Sequence, residues 1–435
     1  MKNKKSSRIA FVVNFFPILS ETFIFSELQN LLERGVDLTI FALFRTDKYE
    51  KREDVGALGD HVEYLKPHLR WMFLIASHVA FMLSHPVAYF RTLGFACKHS
   101  RHLNVFKTIY QYLFVYKRDR RGLPKDWRQD TLLHFVIVMP FARLIIRGDY
   151  GLIHAHYADT STSFAMLLSR LCHLPYSFTT HATDLFVNPY LLPLKIKNAN
   201  FVVTCTEYNR NYIVENIKDS GNTQVFLNYH GVDTRYFKPQ KAVRPERDGI
   251  VILAVGRLVS KKGYDILLKA CSQLRKAGIA FECRIVGNGP LDEELKQLRD
   301  RLKLTDLVDF YGAQSPERVR HLFEQADLFV LPCRITPDGD RDGIPNVVAE
   351  AMSMQVPVIS TTISGIPEIV EHGVSGLLVK PENPKELARA IMELAEDPDR
   401  RCAMGLEARK HISAIFDKQE KIGELVDLFQ RQLDA

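Results

Sequence analysis

The sequence predicts an α/β protein made of two Rossmann-like domains. Its length of 435 residues exceeds what a single hydrophobic core usually supports. Short apolar runs alternate with helical patterns in two series, one starting at Ile9 and the other at Ile250. This alternation is typical of βαβ units and therefore of parallel sheets. A stretch rich in proline and charge, residues 239–248, separates the series and is expected to be the linker.

The first series predicts a domain over residues 1–240. Six apolar or β-branched runs are expected to be its strands: Ile9–Val13, Val36–Leu43, Leu152–His156, Tyr176–Thr180, Phe201–Cys205 and Val225–Asn228. A helix is expected at about 161–171. The loop after the first strand, residues 14–22, has no glycine and so is not a G-x-G-x-x-G dinucleotide fingerprint.

Charge is distributed unevenly along the chain. Residues 1–240 hold 30 Lys+Arg against 20 Asp+Glu, whereas residues 241–435 hold 28 against 31. Between Tyr64 and Arg118 there is no acidic residue, and bases alternate with aromatic and aliphatic side chains. Residues 71–90 are long enough to span a bilayer, but His78, His85 and Pro86 argue against a span.

Three interpretations of this basic, aromatic insertion, at about 64–148, stay open. A helical segment in the interface of an anionic membrane is favoured, because apolar side chains interleave with the bases. The others are a partly buried helical insertion and a basic nucleic-acid surface.

The cysteines and the N-terminus indicate a compartment. Seven cysteines without a C-x2-C pair suggest neither a zinc site nor a disulfide framework, so reduced thiols in a cytosol are expected. Asn14 and Pro17 interrupt the first apolar run, so we expect a strand there rather than a signal peptide.

The second series predicts a domain over residues 241–417. Its expected strands are Ile250–Val255, Phe281–Val286, Val308–Tyr311, Leu328–Leu331, Val356–Ser360 and Leu377–Val379. From about Lys385 the pattern is helical, and the last helix is expected at about 418–433.

The loop from Asp338 to Glu350 is the strongest functional signal. Pro345 suits the first position of a helix, which places Asp342 before the helix and Glu350 in its second turn. A helix start favours an anion such as phosphate, and carboxylates on either side can accept hydrogen bonds from hydroxyl groups. This combination indicates a sugar-nucleotide site.

Two metal interpretations of this loop are weaker. Asp338, Asp340 and Asp342 match the first calcium-loop positions, but position 12 is Ala349 and Pro345 falls inside the loop. Asp338-Gly339-Asp340 also matches a short metal-holding pattern, although a solvated acidic loop explains it better. No metal is expected.

A second signal follows the strand 250–255. Gly256 and Arg257, then Lys262 and Gly263, place two cations where they can hold a diphosphate. The spacing is not that of a P-loop. Taken alone, the motif would favour two surface cations.

Together these motifs resemble a known family. Asp342-x7-Glu350, the run Gly365-Ile366-Pro367-Glu368 and the G-R-x4-K-G element at 256–263 resemble the retaining glycosyltransferases of family 4. The resemblance is greatest to the colanic-acid and amylovoran type of exopolysaccharide enzyme. It implies the GT-B fold, two Rossmann-like domains facing each other across a cleft, with the C-terminal helix, 418–435, returning to the first domain.

The resemblance also implies roles for individual residues. Arg257 and Lys262 would contact the donor diphosphate, and Gly343, Ile344, Pro345 and Glu350 would complete the donor site. His181, in His181-Ala182-Thr183-Asp184 at a strand end, and Asp342 would be catalytic. Asp342 stands where the family has Glu, and Asp340 is the alternative for that role. Ser20 and Glu21 lie either in an acceptor-side loop or in an ordinary capped turn.

The implied function is transfer of a sugar from a nucleotide diphosphate sugar to a lipid-linked saccharide in bacterial exopolysaccharide biosynthesis. No cofactor and no nucleic acid are implied, and the expected location is cytoplasmic, peripheral on the inner face of the cytoplasmic membrane. The alternatives are a sugar-nucleotide epimerase on a similar fold and a basic nucleic-acid-binding protein.

Overall fold

The computed structural model describes residues 7–17, 22–45, 56–65, 71–100, 130–217, 223–240 and 248–434. Two compact units are formed. The first contains Met1–Thr204, Arg210–Asn228 and Ile422–Ala435, and the second contains Cys205–Asn209 and Tyr229–Lys421.

The first unit is built on a parallel sheet of seven described strands. They are β1 Ile9–Phe16, β2 Leu38–Arg45, β3 Val62–Tyr64, β4 Leu152–His156, β5 Tyr176–Thr180, β6 Phe201–Thr204 and β7 Gln224–Leu227. The order β3-β2-β1-β4-β5-β6-β7 places β1 and β4 at the centre, where the strand order reverses. Ligands in such sheets bind beyond the carboxyl ends of strands at this point.

Helices cover the first sheet. They are α1 Thr22–Glu33, α2 Trp71–Ser84, α3 Pro86–Lys98, α4 Thr131–Arg147, α5 Thr160–Cys172, α6 Ala182–Phe186, α7 Leu192–Asn198 and α8 Glu207–Asn216. β3 was missed in the sequence because it has only three residues. Ser20 and Glu21 lie outside the described residues.

The second unit has six described parallel strands. They are β8 Ile250–Val255, β9 Phe281–Val286, β10 Val308–Phe310, β11 Leu328–Leu331, β12 Val358–Thr361 and β13 Gly376–Val379. Their order is β10-β9-β8-β11-β12-β13, with β8 and β11 at the centre. All of β8 and β11 is buried, as expected for strands covered on both faces.

The remaining helices are α9 Tyr264–Lys276, α10 Asp292–Arg301, α11 Pro316–Gln325, α12 Asn346–Ser353, α13 Ile366–Ile369, α14 Pro384–Glu396, α15 Pro398–Ile415 and α16 Lys418–Asp434. From residue 422 onward, α16 belongs to the first unit. There Phe429 meets Phe11 edge-on, with ring centroids 5.8 Å apart. Two parallel-sheet α/β domains confirm the predicted fold class.

The described part of the predicted insertion is helical. Asp130 caps α4 by accepting hydrogen bonds from the backbone N–H groups of Leu132 at 3.0 Å and Leu133 at 3.2 Å. Among the described residues, no single helix is long and apolar enough to cross a bilayer. The pair α2 and α3 passes that test only jointly, and it bends by 119°.

Candidate functional site

In the second unit, the loops after β8 and β11 bring the predicted cations and acids together. The Nζ of Lys262 lies 2.8 Å from Oδ2 of Asp342. The neighbouring Lys261 has its Nζ 3.0 Å from Oδ1 of Asp340 and 3.6 Å from Oδ1 of Asp342. Asp342 therefore lies between two lysines, whereas Asp340 pairs with Lys261.

Burial and pairing together set the charge of this cluster. Burial by itself would raise the pKa of Asp342, but Lys262 and Lys261 outweigh it and hold that pKa below its ordinary value. Burial likewise opposes the charge of Lys262, yet Asp342 raises the pKa of the lysine above its usual range. Both shifts favour the ion pair, so the site holds a fixed ammonium beside a fixed carboxylate.

The turn that carries the lysines is held rigidly by the backbone and by an arginine. Residues Ser260–Lys262 form a 3₁₀ turn ended by Gly263, whose φ is +71°. A Cβ on Gly263 would collide with the carbonyl oxygen of Pro332, so a glycine is required there. Arg334 donates from Nε to the carbonyl of Ser260 at 2.8 Å and from Nη2 to its hydroxyl at 3.0 Å.

Arg257 occupies the start of the same loop. Its backbone lies beside Gly287, where a Cβ would collide with the carbonyl oxygen of Gly256. The Arg257 side chain is exposed, and it makes no hydrogen bond or ion pair to the described residues. A guanidinium in this state can meet an anionic ligand without first breaking a protein contact.

The helix start at α12 completes the cluster. The structure begins this helix at Asn346 and makes Pro345 its N-cap, one residue later than the sequence indicated. Gly343 accepts a hydrogen bond from the N–H of Gly365 at 3.2 Å. The first N–H groups of a helix have no partner within it, so they and the lysines offer donors for phosphate oxygens.

Glu350 lies in the second turn of α12, as predicted. Burial raises its pKa to about 7, against a smaller lowering by Lys262. Its carboxylate makes no hydrogen bond to the other described residues, so it can accept hydrogen bonds from a ligand's hydroxyl groups.

Glu368, in the predicted motif after β12, has a different position. It accepts hydrogen bonds from the N–H groups of Glu207 at 2.7 Å and Tyr208 at 2.8 Å, at the start of α8. The hydroxyl of Tyr229 donates to it at 3.0 Å. Three donors therefore surround Glu368, and its carboxylate caps the start of α8.

The acidic loop at 338–340 is satisfied within the protein. The hydroxyl of Thr336 donates to Asp338, and the N–H of Asp340 donates to the same carboxylate at 3.4 Å. Asp340 pairs with Lys261. Both acids therefore have partners within the protein.

In the first unit, His181 follows β5 at the carboxyl edge of the sheet, as predicted. Its ring is buried against Tyr157 and Phe23, with centroids at 4.5 and 5.0 Å. Its backbone N–H donates to Asp184 at 2.8 Å, and the hydroxyl of Thr180 donates to Asp184 at 3.0 Å. These contacts fix the loop that carries the imidazole.

The two weaker histidine candidates differ. His154 is fully buried, with ring nitrogens 2.8 Å from the Ser177 hydroxyl and 3.0 Å from the Thr179 hydroxyl, so it is structural. His156 has Nε2 3.1 Å from Oε1 of Glu27, and both side chains are buried. Its ring lies nearly parallel to that of His181, with centroids 6.1 Å apart.

Three residues that contact the candidate site residues or the loop that carries them were not predicted from the sequence: Lys261, Arg334 and Glu27. Glu27 could have been found, because it lies on the apolar stripe of α1 with Ile24, Leu28 and Leu31. Arg334 could not have been found, because its partners Asp265 and Ser260 lie 69 and 74 residues away along the chain.

A parallel α/β unit that places cations, a helix start and two acids beyond its central strands has the arrangement expected of a nucleotide-binding domain. More particularly, residues 237–411 match the family described as glycosyl transferases group 1. The matched residues lie within the second unit, which is therefore similar to a group 1 glycosyltransferase domain.

Relatives in sequence carry glycosyltransferase names. One from Escherichia coli K12, named for colanic acid biosynthesis as WcaL, is 36% identical over 201 residues, 46% of this chain and 49% of its own. The amylovoran biosynthesis glycosyltransferase AmsK of Erwinia amylovora is 34% identical over 180 residues, covering 41% and 44%. The chain spans about half the length of these curated relatives.

Solved structures resemble the whole chain. Sucrose-phosphate synthase of Thermosynechococcus elongatus has a TM-score of 0.73 at 17% identity, covering 99% of this chain and all of that one. HepE of Anabaena, solved with UDP and glucose, has a TM-score of 0.64 at 17% identity over 98% and 100%. These likenesses show the fold, which is that of GT-B glycosyltransferases.

Proposed function

We propose that this protein is a retaining, family 4 glycosyltransferase that moves a sugar from a nucleotide diphosphate sugar to a lipid-linked saccharide in exopolysaccharide biosynthesis. The observation that carries the proposal is the Lys262–Asp342 ion pair at the start of α12, with Arg257 exposed on the same loop. The relatives named for colanic acid and amylovoran biosynthesis support the pathway class.

The proposed role of the cations depends on the negative charge that develops on the leaving group. A nucleoside diphosphate leaving group gains negative charge as the bond from its phosphate oxygen to the sugar breaks. Arg257, Lys262 and the N–H groups at the start of α12 can stabilise that charge, and stabilisation confined to the transition state accelerates the reaction. Asp342 keeps the Lys262 ammonium in place, and the family resemblance assigns it and His181 to the sugar.

The donor's ribose fits Glu350. A carboxylate accepts hydrogen bonds from two adjacent hydroxyl groups, whereas a carboxylic acid has less accepting capacity. No metal and no cofactor are part of the proposal, because cations of the protein face the diphosphate position. The acceptor and the location, at the inner face of the cytoplasmic membrane, rest on the resemblance and on the acid-free stretch 64–118.

Donor affinity is expected to depend on pH through Glu350. Because its pKa in the free protein is raised to about 7, the acid is protonated below that pH and must lose its proton to bind ribose as a carboxylate. Affinity for nucleoside diphosphate should therefore fall as pH drops, by about tenfold between pH 8 and pH 6. Calorimetry with UDP, GDP, ADP and dTDP at pH 8 and pH 6 measures this affinity.

Glu350→Gln is the matched variant, since it keeps the size of the side chain but cannot titrate. It should bind more weakly at pH 8 and lose the pH dependence. If none of the four nucleotides binds to the folded protein, the proposed function is wrong. If one binds with the same pH dependence in Glu350→Gln, the assignment of Glu350 is wrong.

A further inference from the structure

Large apolar side chains cover the outer faces of α2 and α3. Seven of the fourteen large hydrophobic side chains exposed among the described residues lie between 72 and 90. On α2 they include Met72, Ile75, Val79 and Leu83, which are spaced three or four residues apart and so share one face. Val87 and Phe90 continue the pattern on α3 with 62% and 57% of their surface exposed.

Some polar side chains of α2 and α3 are buried against the protein, although Ser84, Arg91 and Lys98 are exposed. Ser77 is fully buried and donates to the carbonyl of Phe73 at 2.7 Å. His78 bonds through Nε2 to the carbonyl of Val136 on α4 at 2.9 Å, and through Nδ1 to the hydroxyl of Tyr89 at 3.0 Å. Burial lowers the pKa of His78, so the imidazole is held neutral inside. His78, one of the residues that argue against a span, therefore makes its hydrogen bonds within the protein.

The number of exposed apolar side chains departs from the pattern of a helix at a water-exposed surface, which buries apolar and exposes polar side chains. Apolar patches of this kind mark surfaces that contact another apolar phase or partner. The charge around the helices indicates which apolar phase or partner this surface contacts. No acid occurs between Tyr64 and Arg118, and Arg91 and Lys98 are exposed on α3. A surface with outward apolar side chains and only basic charges complements an anionic bilayer.

We propose that α2 and α3 insert their outer faces into the interfacial layer of a lipid bilayer as a bent, non-spanning pair. The 119° bend between them favours shallow insertion over a straight span. The inference deepens the proposed function by naming the bilayer as the partner of the first unit, and it rests on that function only for the source of the acceptor. Anchoring is then mainly apolar, and the bases contribute less.

Vesicle flotation of the full-length protein tests this. Wild type should float with vesicles of phosphatidylcholine and phosphatidylglycerol, and should keep most of its binding at about 1 M salt, where screening leaves charges a range of only about 3 Å. The triple variant Ile75→Gln, Val79→Gln, Leu83→Gln should lose at least about tenfold in partitioning, since it removes apolar area from the inserted face. Arg91→Glu with Lys98→Glu should weaken binding chiefly at low salt.

The chain offers a matched control. Val214, Val374 and Leu406 are exposed to similar degrees elsewhere, and their triple replacement by Gln should leave flotation unchanged. Flotation of the α2 triple variant at the wild-type level would overturn the proposal, as would wild-type binding that vanishes at high salt. A wild-type dimer in sedimentation that the α2 variant disrupts, without flotation, would show that a second copy covers the face instead.

Failure of the bilayer proposal can be distinguished from failure of the proposed function by measuring flotation and nucleotide-sugar turnover together. Hydrolysis of a nucleotide sugar by the α2 variant in solution, together with lost flotation, supports both. Flotation without turnover of any nucleotide sugar leaves the bilayer surface intact and rejects the glycosyltransferase.

Discussion

Replacing Lys262 by alanine is expected to lower kcat/KM for sugar transfer by about 10²–10³-fold, the usual cost of removing one preorganised donor at a site of developing charge. Lys262 is buried and lies 2.8 Å from Asp342, so its ammonium is fixed before the substrate arrives. Its loss removes a cation from the proposed diphosphate position. It also leaves Lys261, at 3.6 Å, as the remaining lysine beside Asp342, which raises the pKa of that carboxyl toward its usual value.

Lys296→Ala is the matched control for this experiment. Lys296 also has its Nζ 2.8 Å from an aspartate, Asp292, but this pair is exposed on α10. The kcat/KM of Lys296→Ala should stay within a factor of about two or three of the wild-type value, because most surface ion pairs contribute little. Circular dichroism and thermal melting establish that both variants fold, and wild-type turnover by folded Lys262→Ala would refute the role of the lysine.

The second large effect concerns His181. His181→Ala is expected to lower kcat by about 10²-fold while the Kd of the donor changes little, because an interaction made only in the transition state affects the rate and not ground-state binding. The ring is buried at the carboxyl end of β5, and Asp184 holds its backbone. Steady-state kinetics with an independent measurement of donor binding separate the two quantities.

His181 also begins α6, so a loss of activity could reflect a damaged loop. His181→Asn keeps a residue favoured at a helix start and should restore the melting temperature but not kcat. His321→Ala, at an exposed histidine on α11, serves as the control. An unchanged kcat with weaker donor binding in His181→Ala would make the imidazole a binding group only.

The sequence predicted the sheets better than the contacts between side chains. β5, β8, β9 and β11 have the predicted bounds. For β8 and β11 the reason is that strands buried on both faces are continuous apolar runs with clear ends. β2 begins at Leu38 instead of Val36, and β12 covers 358–361 instead of 356–360. Such ends depend on hydrogen bonds to neighbouring strands, which are not encoded locally.

The candidate site was predicted as residue types at loop positions, and the structure adds how they interact. Spacing alone placed Lys262 and Asp342 on separate loops and did not show that they form an ion pair. It also did not show that Glu368 caps α8, since its partners Glu207 and Tyr208 lie 161 and 160 residues away. The roles assigned to His181, Arg257 and Glu350 remain predictions.

The most direct test of the account is to incubate the protein with a panel of nucleotide diphosphate sugars and a lipid extract, and to identify the products by mass spectrometry and nuclear magnetic resonance. We expect one donor to release its nucleoside diphosphate. We also expect the sugar to appear on a lipid-linked saccharide with the anomeric configuration that it had in the donor. Transfer with the opposite configuration would contradict the retaining mechanism. A changed sugar still attached to its nucleotide would identify an epimerase. If no donor is consumed while DNA or RNA binds with a steep salt dependence, the protein is a nucleic-acid-binding protein and the central claim is wrong.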